Sequence, residues 1–270
     1  MTQLRLIARR VRARLARSSG AARLAVRVRH QANQVISQHL TASKDPEHNG
    51  EHWLLSQLGR IGVVVDIGAN VGDWTARVLE TSPAAQAIVI EPGELAASRL
   101  QDRFGDRSNV TIHAVAAGEV AGHSDFWEQP DAGVTSSLVG DYGIADRVAP
   151  RRVEVAALAD ILEAEQISHI DLLKIDAEGF DYFVLLGAAR FLRDARIDVI
   201  QFEYNQGWEA AGATLSSAAR LLESFGYRLM LLQPCGVRPY SPREFGEFFL
   251  YANFVAVNQQ GRRYLGPELD

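Results

Sequence analysis

Short apolar runs rich in valine and isoleucine alternate along most of this chain with longer stretches whose apolar residues recur at helical spacing. The runs are typical of strands buried on both faces of a sheet, and the longer stretches are typical of helices that cover it. The predicted strands are residues 63–66, 87–91, 110–115, 170–176 and 199–203, and the predicted helices are 53–58, 74–80, 95–104, 157–165, 183–192 and 215–225. Their alternation predicts an α/β fold with a parallel sheet and right-handed crossovers.

Two segments depart from this alternation. Residues 124–155 contain glycines, prolines and only short β-prone pieces, so they are predicted to be an insertion. Near the end of the chain, the apolar runs 227–232 and 248–257 predict a closing pair that contains an antiparallel edge strand. The sheet is therefore expected to be mostly, but not wholly, parallel.

Basic residues are concentrated at the N-terminus. Residues 1–44 hold ten of the 28 lysines and arginines and no acid, which leaves 18 basic and 33 acidic residues and a formal balance of −15. The spacing of apolar residues among the arginines predicts an amphipathic helix over Met1–Arg29, with a break at residues 18–20. We therefore predict a basic helical extension, residues 1–50, followed by one α/β domain, residues 51–270.

Charge and composition also bear on partners and location. Basic amphipathic helices often lie on anionic membranes, so the sequence predicts peripheral membrane contact through Met1–Arg29; a solvated tail and a helix packed on a partner subunit remain alternatives. The acidic domain argues against nucleic acid as the main substrate, because that binding requires neutralised phosphates. No secretory or membrane-spanning run is found, which predicts a cytoplasmic location. The single cysteine, Cys235, excludes an internal disulfide framework and is expected to be buried or to pack at a strand end.

The most informative motif follows the first predicted strand. That strand runs into residues 66–72, DIGANVG, and the next strand ends in Glu91. Glycines at 68 and 72 give the turn backbone angles that other residues avoid and let a ligand approach the main chain. A carboxylate at the end of the neighbouring strand accepts hydrogen bonds from ribose hydroxyls. The pattern indicates a nucleoside-cofactor site.

The glycine spacing discriminates between cofactors. A dinucleotide site uses Gly-x-Gly-x-x-Gly, so that a helix N-terminus receives the pyrophosphate. This turn instead reads Asp-x-Gly-x-x-x-Gly, with Asn70 where close approach of the pyrophosphate requires glycine. S-adenosylmethionine fits better because it has no phosphate and carries an ammonium group that an acid tolerates. A nicotinamide cofactor, or a turn that binds nothing, remains an alternative.

Four predicted strands end in acids, namely Asp66, Glu91, Asp176 and Glu203. Ligands of open α/β sheets bind outside the carboxyl ends of the strands, so these acids indicate one site. The first two belong to its cofactor half. In the other half, Asp176, Glu178 and Glu203 are candidate catalytic residues, because a hydroxyl that attacks a methyl group must lose its proton to a base.

Two alternatives accompany these catalytic candidates. Asp176 and Glu203, with Asn205 nearby, could instead hold Mg²⁺ through oxygen ligands, and the metal would acidify a bound hydroxyl. Glu178 also fits a first-turn acid that complements a helix dipole. Lys174, within an apolar strand, is expected either to pair with one of the acids or to point outward between helices. Among the histidines, His113 is the best placed, near the end of the third strand.

Several motifs in this order resemble the FkbM family of S-adenosylmethionine-dependent methyltransferases. They are DIGANVG at 66–72, Glu91-Pro92, TSSL at 135–138, LKIDAEGFD at 173–181, LLGA at 185–188 and Phe202-Glu203. The resemblance extends from about Trp53 to about Val257. It implies a class I methyltransferase (Rossmann-like) fold, with a seven-stranded, mostly parallel sheet and an antiparallel last strand. It also implies methylation of a hydroxyl on a sugar, glycan, glycolipid or polyketide product.

The resemblance further implies roles for individual residues. Asp66, Gly68, Asn70 and Gly72 would approach the methionine part of the cofactor, and Glu91 its ribose. Ser136 and Ser137 would contribute to the same pocket. The resemblance does not cover the arginine-rich Met1–Arg29 segment.

The acceptor is predicted less directly. Trp127, Tyr204, Trp208 and Tyr240 lie in or near loops at the reactive edge, and aromatic faces suit sugar rings; packing of the insertion against the sheet is the alternative. We expect an O-methyltransferase that acts on a sugar, glycan or glycolipid. A methyltransferase for a small natural product and a non-catalytic cofactor-binding protein remain alternatives.

Overall fold

A computed structural model describes residues 13, 15–40, 43, 45–133, 135–140 and 149–265. The chain divides into two units, residues 1–41 and 42–270. The larger unit is an α/β domain, and the smaller unit contributes one described helix.

The α/β domain contains an eight-stranded main sheet. In chain order its strands are β1 (Val63–Ile67), β2 (Gln86–Ile90), β3 (Val110–His113), β7 (Ile170–Ile175), β8 (Ile197–Tyr204), β9 (Arg228–Gln233), β10 (Gly236–Pro239) and β11 (Ala252–Val257). Their spatial order is β10-β9-β11-β8-β7-β1-β2-β3. The five strands from β3 to β8 pair in parallel, and the last strand, β11, pairs antiparallel with β8 and β9.

This arrangement confirms the predicted class I methyltransferase fold. Seven of its strands account for the expected number, and the last of them in the chain is the expected antiparallel one. The short strand β10 adds an eighth, because β9 continues through a tight turn into a hairpin instead of ending at the sheet edge. Cys235 lies in that turn, just beyond the end of β9, and is exposed, so of the two expectations burial is wrong. The turn extends beyond the last paired residues of β9 and β10, Gln233 and Gly236, so no described neighbouring strand covers the cysteine side chain.

Helices flank the main sheet and supply its core. They are α2 (Glu51–Leu58), α3 (Asp73–Thr81), α4 (Glu94–Phe104), α5 (Leu158–Ala164), α6 (Asp181–Gly187), α7 (Ala189–Arg193), α8 (Gly207–Ala210), α9 (Leu215–Ser224) and α10 (Pro242–Phe245). The label α1 belongs to the described helix of the smaller unit, Ser19–Leu40. On one face of the sheet, strand residues such as Val64, Leu172 and Val199 pack with apolar residues of α2, α3 and α4. Burial of these side chains fixes the register of the strands, since a one-residue slip would expose them.

The predicted insertion forms a second, three-stranded sheet. Strand β6 (Arg151–Ala157) pairs in parallel with β4 (Ala116–Gly118) and antiparallel with β5 (Gly122–Phe126). Residue 134 and residues 141–148 of the predicted insertion lie outside the described residues. The insertion is therefore not only a loop, because its two ends pair with each other and with the chain that follows β3.

The described helix of the smaller unit, α1, spans Ser19–Leu40. The Ser18 hydroxyl accepts a hydrogen bond from the backbone N–H of Ala21 (3.3 Å) and so caps the helix. Residues 18–20, predicted as a break, are the start of this helix, which continues past the predicted end at Arg29. Most of the predicted helix before Ser18 lies outside the described residues. Among the residues described, the helices are too short or too polar to span a bilayer.

Candidate active site

A cavity opens at the carboxyl ends of β1, β2 and β7 and has a volume of about 750 Å³, including its open mouth. The lining residues that the sequence predicted are Gly68, Asn70, Glu91, Ser136, Ser137, Asp176 and Glu178. Residues of β4 and β5, and of the segment that follows β5, complete the wall. This is the edge at which open α/β sheets bind ligands.

The glycine turn forms the floor of the cavity. The backbone N–H of Gly68 donates to the carbonyl of Ile90, which ties the turn to β2 (2.9 Å). Gly68 has a φ of +72°, and a Cβ there would lie less than 3.0 Å from the carbonyl oxygen of Asp176. Only glycine satisfies both conditions without strain. The first half of the motif thus sits directly against the loop after β7.

Glu91 is the buried acid of the cofactor half. Its carboxylate accepts hydrogen bonds from the backbone N–H groups of Asn70 (2.9 Å) and Gly93 (2.7 Å). Burial raises the pKa of Glu91 to about 7, against the lowering effect of those two donors. A carboxylate held by its neighbours in this way keeps lone pairs directed into the cavity, where ribose hydroxyls can donate to them.

Ser136 and Ser137 line the cavity from the segment after β5. The Ser137 hydroxyl donates to the carbonyl of Glu178 (2.7 Å), and the Ser136 hydroxyl donates to the carbonyl of Gly133 (3.1 Å). The Asn70 amide donates to the carbonyl of Ala132 (3.1 Å), which joins this segment to the glycine turn. Both serines therefore hold the wall in place through their own hydroxyls.

Sequence reasoning missed the residues that the second sheet contributes. Ala116, Ala117, Phe126 and Glu128 line the cavity, and Glu128 accepts a hydrogen bond from the backbone N–H of Leu95 (3.2 Å). No spacing rule links these positions to the glycine turn, because the pairing of β4, β5 and β6 brings them there. The acid Glu128, directly after a strand, was the available signal.

Two residues predicted to bind the cofactor do not line the cavity. Asp66 is 1% exposed; one carboxylate oxygen accepts from the Thr75 hydroxyl (2.5 Å), and the other lies 3.8 Å from the ammonium of Lys174. A Cβ on Gly72 would meet Leu100 at 2.7 Å, so this glycine is needed where the turn packs on α4. The direct cofactor roles of Asp66 and Gly72 remain predictions that this geometry does not support.

The three predicted catalytic acids do come together. One carboxylate oxygen each from Asp176, Glu178 and Glu203 lies within 4.8 Å of the other two. The Asn205 amide bridges two of them, donating to Glu203 (2.6 Å) and to Glu178 (3.1 Å). We call these three acids the acid cluster. Asp176 and Glu178 line the cavity, whereas Glu203 is not among the lining residues.

Burial and the crowding of carboxylates raise pKa values in and behind the acid cluster. Burial, followed by the nearby carboxylates of Asp176 and Glu178, raises the pKa of Glu203 well above its usual range. Behind the cluster, burial and then Asp176 raise the pKa of Asp181 to about 8, although its carboxylate accepts from the N–H of Gly179 (3.1 Å). A carboxylate whose pKa is raised toward neutrality is suited to accept a proton during catalysis.

Lys174 lies beside the acid cluster and is 5% exposed. Its ammonium donates to Asp176 (3.0 Å) and lies 5.6 Å from the ring centre of Trp74. Burial alone would lower the pKa of Lys174, but the carboxylates of Asp176, Asp66 and Glu51 outweigh it and raise the pKa. Of the two expectations for Lys174, pairing with an acid is the one observed.

The contacts of the acid cluster fit a divalent metal poorly. Asn205 turns its nitrogen toward Glu178 and Glu203, and its oxygen accepts from the backbone N–H of Gly207 (2.8 Å). Asp176 already pairs with the ammonium of Lys174. A magnesium site needs oxygen ligands free of such partners. The Asn205 amide oxygen therefore points away from the acids, and the Mg²⁺ alternative stays a prediction that rests on the carboxylates of Asp176 and Glu203 alone.

The other predicted site residues pack elsewhere. Tyr204 and Trp208 are fully buried, and the Trp208 indole donates to the carbonyl of Glu203 (2.9 Å). Tyr240 stacks on Phe245, with ring centres 5.4 Å apart. His113 pairs with Glu165 (3.2 Å) and does not line the cavity. Trp127, which forms an isolated bridge with Ser137, stays near the cavity wall.

The fold and this site together define a nucleoside-cofactor enzyme of the class I methyltransferase type. The sequence pattern of the Methyltransferase FkbM domain matches residues 66–229. The chain belongs to the FkbM methyltransferase family and is an S-adenosylmethionine-dependent methyltransferase. The family match covers the glycine turn, the cavity and the acid cluster.

Individual relatives are more distant. The chain is 26% identical over 175 residues to 2-O-methyltransferase NoeI of Sinorhizobium fredii, covering 60% of this chain and 72% of the relative. It is 25% identical over 189 residues to Methyltransferase 1 of Beauveria bassiana, covering 63% and 74%. The crystal structure of a methyltransferase FkbM from Methylobacillus flagellatus aligns at 18% identity and a TM-score of 0.46, covering 72% of this chain and 43% of that one. The chain thus spans less than half of that protein.

Proposed function

We propose that the protein transfers the methyl group of S-adenosylmethionine to a hydroxyl of a sugar, glycan or glycolipid. The observation that carries the proposal is one cavity with two chemically different ends. Glu91 lies at one end and is suited to ribose hydroxyls, and Asp176 and Glu178 lie at the other end beside Glu203. The relative NoeI, named as a 2-O-methyltransferase, supports a hydroxyl as the acceptor.

The residues on the cofactor side bind and orient. Bound S-adenosylmethionine supplies an electrophilic methyl group on its sulfonium centre. The ribose would donate to Glu91, and the turn that contains Gly68 and Asn70 would lie beneath the methionine part. Glu128 would face the adenine end, where Ala116 and Ala117 form the wall. These contacts would place the methyl group toward the loop after β7.

The acid cluster supplies the base. A hydroxyl attacking the methyl group gains a carbon–oxygen bond as the carbon–sulfur bond breaks, and its proton passes to a carboxylate. Asp176 and Glu178 reach the cavity directly and are placed to take the proton, and the raised pKa of Glu203 beside them reflects burial and carboxylate crowding, which favour an added proton on the cluster. Repulsion by this cluster disfavours phosphorylated or sulfated acceptors. The acceptor class is therefore a neutral or cationic hydroxyl compound.

The test is transfer of a labelled methyl group. The full chain is incubated with trideuteromethyl S-adenosylmethionine and a panel of neutral sugars, oligosaccharides and glycolipids, and products are analysed by mass spectrometry. We expect a mass gain of one labelled methyl on a sugar hydroxyl, formed far more slowly by Asp176→Asn and at the native rate by Glu94→Ala, which changes an exposed acid of α4. Methylation only of polyketide-type compounds would move the proposal to a natural-product methyltransferase. Cofactor binding without transfer to either class would favour a non-catalytic binding protein.

We further propose peripheral membrane contact by the basic extension. Residues 1–44 carry ten basic residues and no acid, and Leu24, Val28 and Val35 of α1 are each at least 61% exposed. Anionic lipid attracts such a segment and accepts its apolar side chains. Residues 1–12 and 14 of the predicted segment Met1–Arg29 lie outside the described residues, so the proposal rests on the charge count and on α1.

Vesicle flotation tests the membrane proposal. The full chain should float with vesicles of phosphatidylcholine and phosphatidylglycerol but not with phosphatidylcholine alone, and high salt should release it. Leu24→Glu with Val28→Glu should abolish flotation. The control is Val120→Glu, which changes a 69% exposed side chain of the α/β domain. Equal flotation of both variants, or none of the native chain, contradicts the proposal; a concentration-dependent dimer that the double variant breaks would indicate a second copy as the partner.

A further inference from the structure

Lys174 is a motif residue that neither cofactor binding nor proton transfer uses. It lies in the middle of the main sheet, in register with Asp66 on β1 and Gln201 on β8. Its ammonium is 3.0 Å from a carboxylate oxygen of Asp176 and 3.8 Å from one of Asp66. One buried cation therefore joins the strand that begins the cofactor turn to the acid at the reactive end of the cavity.

The two carboxylates hold this ammonium differently. Asp176 accepts a hydrogen bond from it, and the Asp176 side chain remains 31% exposed toward the cavity. The Asp66 oxygen nearest to the ammonium accepts no hydrogen bond from the described residues, while its other oxygen accepts from Thr75. Asp66 thus attracts the ammonium by charge from the buried side, and Asp176 is positioned by it on the cavity side. Removal of the Lys174 ammonium would leave the carboxylates of Asp66 and Asp176 without their cation, and an unpaired buried charge is costly.

We propose that Lys174 is a positioning residue that fixes the Asp176 carboxylate and screens its charge from the reactive centre of the cofactor, with Asp66 as its buried anchor. This role explains why the first acid of the glycine motif lies outside the cavity. It rests on S-adenosylmethionine as the cofactor and not on the identity of the acceptor. Screening matters at this point, because an unshielded carboxylate would stabilise the cationic cofactor before methyl transfer and raise the barrier.

Comparison of a neutral and a cationic cofactor analogue tests this screening. S-adenosylhomocysteine lacks the sulfonium charge, and sinefungin carries an amine at that position. Calorimetric titrations at pH 8 give the ratio of their dissociation constants for each variant. Lys174→Met should shift the ratio roughly five-fold toward sinefungin, because Asp176 then faces the cation unpaired. Lys174→Arg should keep the native ratio, and Lys174→Met with Asp176→Asn should restore it.

A purely structural role for Lys174 predicts a different pattern. Both analogues would then bind more weakly by the same factor, and the ratio would not change in any variant. An unchanged ratio in Lys174→Met, or a shift that persists in the double variant with Asp176→Asn, overturns the proposal. If Lys174→Met does not fold, the charge-balanced pair Asp66→Asn with Lys174→Met replaces it and should show the same shift toward sinefungin. No acceptor enters the experiment, so its outcome is independent of the proposed acceptor class.

Discussion

Replacing Gly68 by alanine should be the most damaging single-methyl change in the cavity floor. Gly68 has a φ of +72°, and an added Cβ would lie less than 3.0 Å from the Asp176 carbonyl. Gly212, in the turn after α8, also has a φ of +72°, but an added Cβ there would meet no atom within 4 Å. Comparison of Gly68→Ala with Gly212→Ala therefore separates the free-energy cost of backbone strain from the cost of steric contact.

The magnitudes follow from these two terms. An alanine in the left-handed region costs about 1–2 kcal/mol at either position. Only at Gly68 does overpacking add a further ~1–3 kcal/mol, because the opposing atom belongs to the backbone of a central strand end and cannot rotate away. We expect Gly212→Ala to lose about 1–2 kcal/mol and Gly68→Ala about 2–5 kcal/mol of unfolding free energy.

Urea denaturation followed by tryptophan fluorescence measures both variants under one condition. Titration with S-adenosylhomocysteine then tests the site, where Gly68→Ala should weaken binding and Gly212→Ala should not. Equal losses of stability in the two variants, with equal affinities, would refute the close packing of the cofactor turn against the loop after β7.

Three further predictions concern single acids of the cavity. Burial raises the pKa of Glu91 from 4.5 to about 7, so its neutral form favours the folded state below pH 4.5 and this contribution is lost as the pH rises through 7. The unfolding free energy of Glu91→Gln relative to the native chain should therefore rise by about 2–3 kcal/mol between pH 5 and pH 8, with weaker S-adenosylhomocysteine binding; a difference in urea denaturation that does not change with pH would contradict this. Glu128→Gln should weaken S-adenosylhomocysteine roughly ten-fold and reduce its advantage over S-inosylhomocysteine, which has a carbonyl in place of the exocyclic amine; an unchanged preference argues against contact with adenine. Asp176→Asn should lower turnover roughly 100-fold in the labelled-methyl assay while calorimetry shows cofactor affinity within about three-fold, and unchanged turnover removes Asp176 from catalysis.

The sequence pattern predicted the main sheet well, because each strand is a local apolar run between turn signals. Predicted strand 63–66 is observed as Val63–Ile67, and predicted strand 199–203 as Ile197–Tyr204. The second sheet was missed for the opposite reason. Strand β5 contains one fully buried side chain, Phe126, and its polar neighbours mask the apolar alternation on which strand prediction depends.

The site could be predicted in its members but not in its contacts. The period of two along a strand explains why Asp66 does not line the cavity, since Ile67 lines it and the neighbouring Asp66 side chain bonds to Thr75 on the other face. Glu91 is followed by a turn, so its backbone partners at Asn70 and Gly93 bring it into the cavity. For the aromatic residues the sequence left sugar binding and packing open, because the alternation of apolar positions alone does not distinguish a rim from a core. Tyr204 lies at the end of a strand yet is covered by Phe248 and Phe249.

Calorimetric titration of the full chain with S-adenosylhomocysteine, in parallel with NAD and with and without EDTA, tests the cofactor site most directly. We predict micromolar binding of S-adenosylhomocysteine and none of NAD, unaffected by EDTA. Binding should be lost in Glu91→Ala and kept in the exposed control Glu94→Ala. Binding of NAD, or equal binding of S-adenosylhomocysteine by both variants, would contradict the assignment of this cavity as the S-adenosylmethionine site.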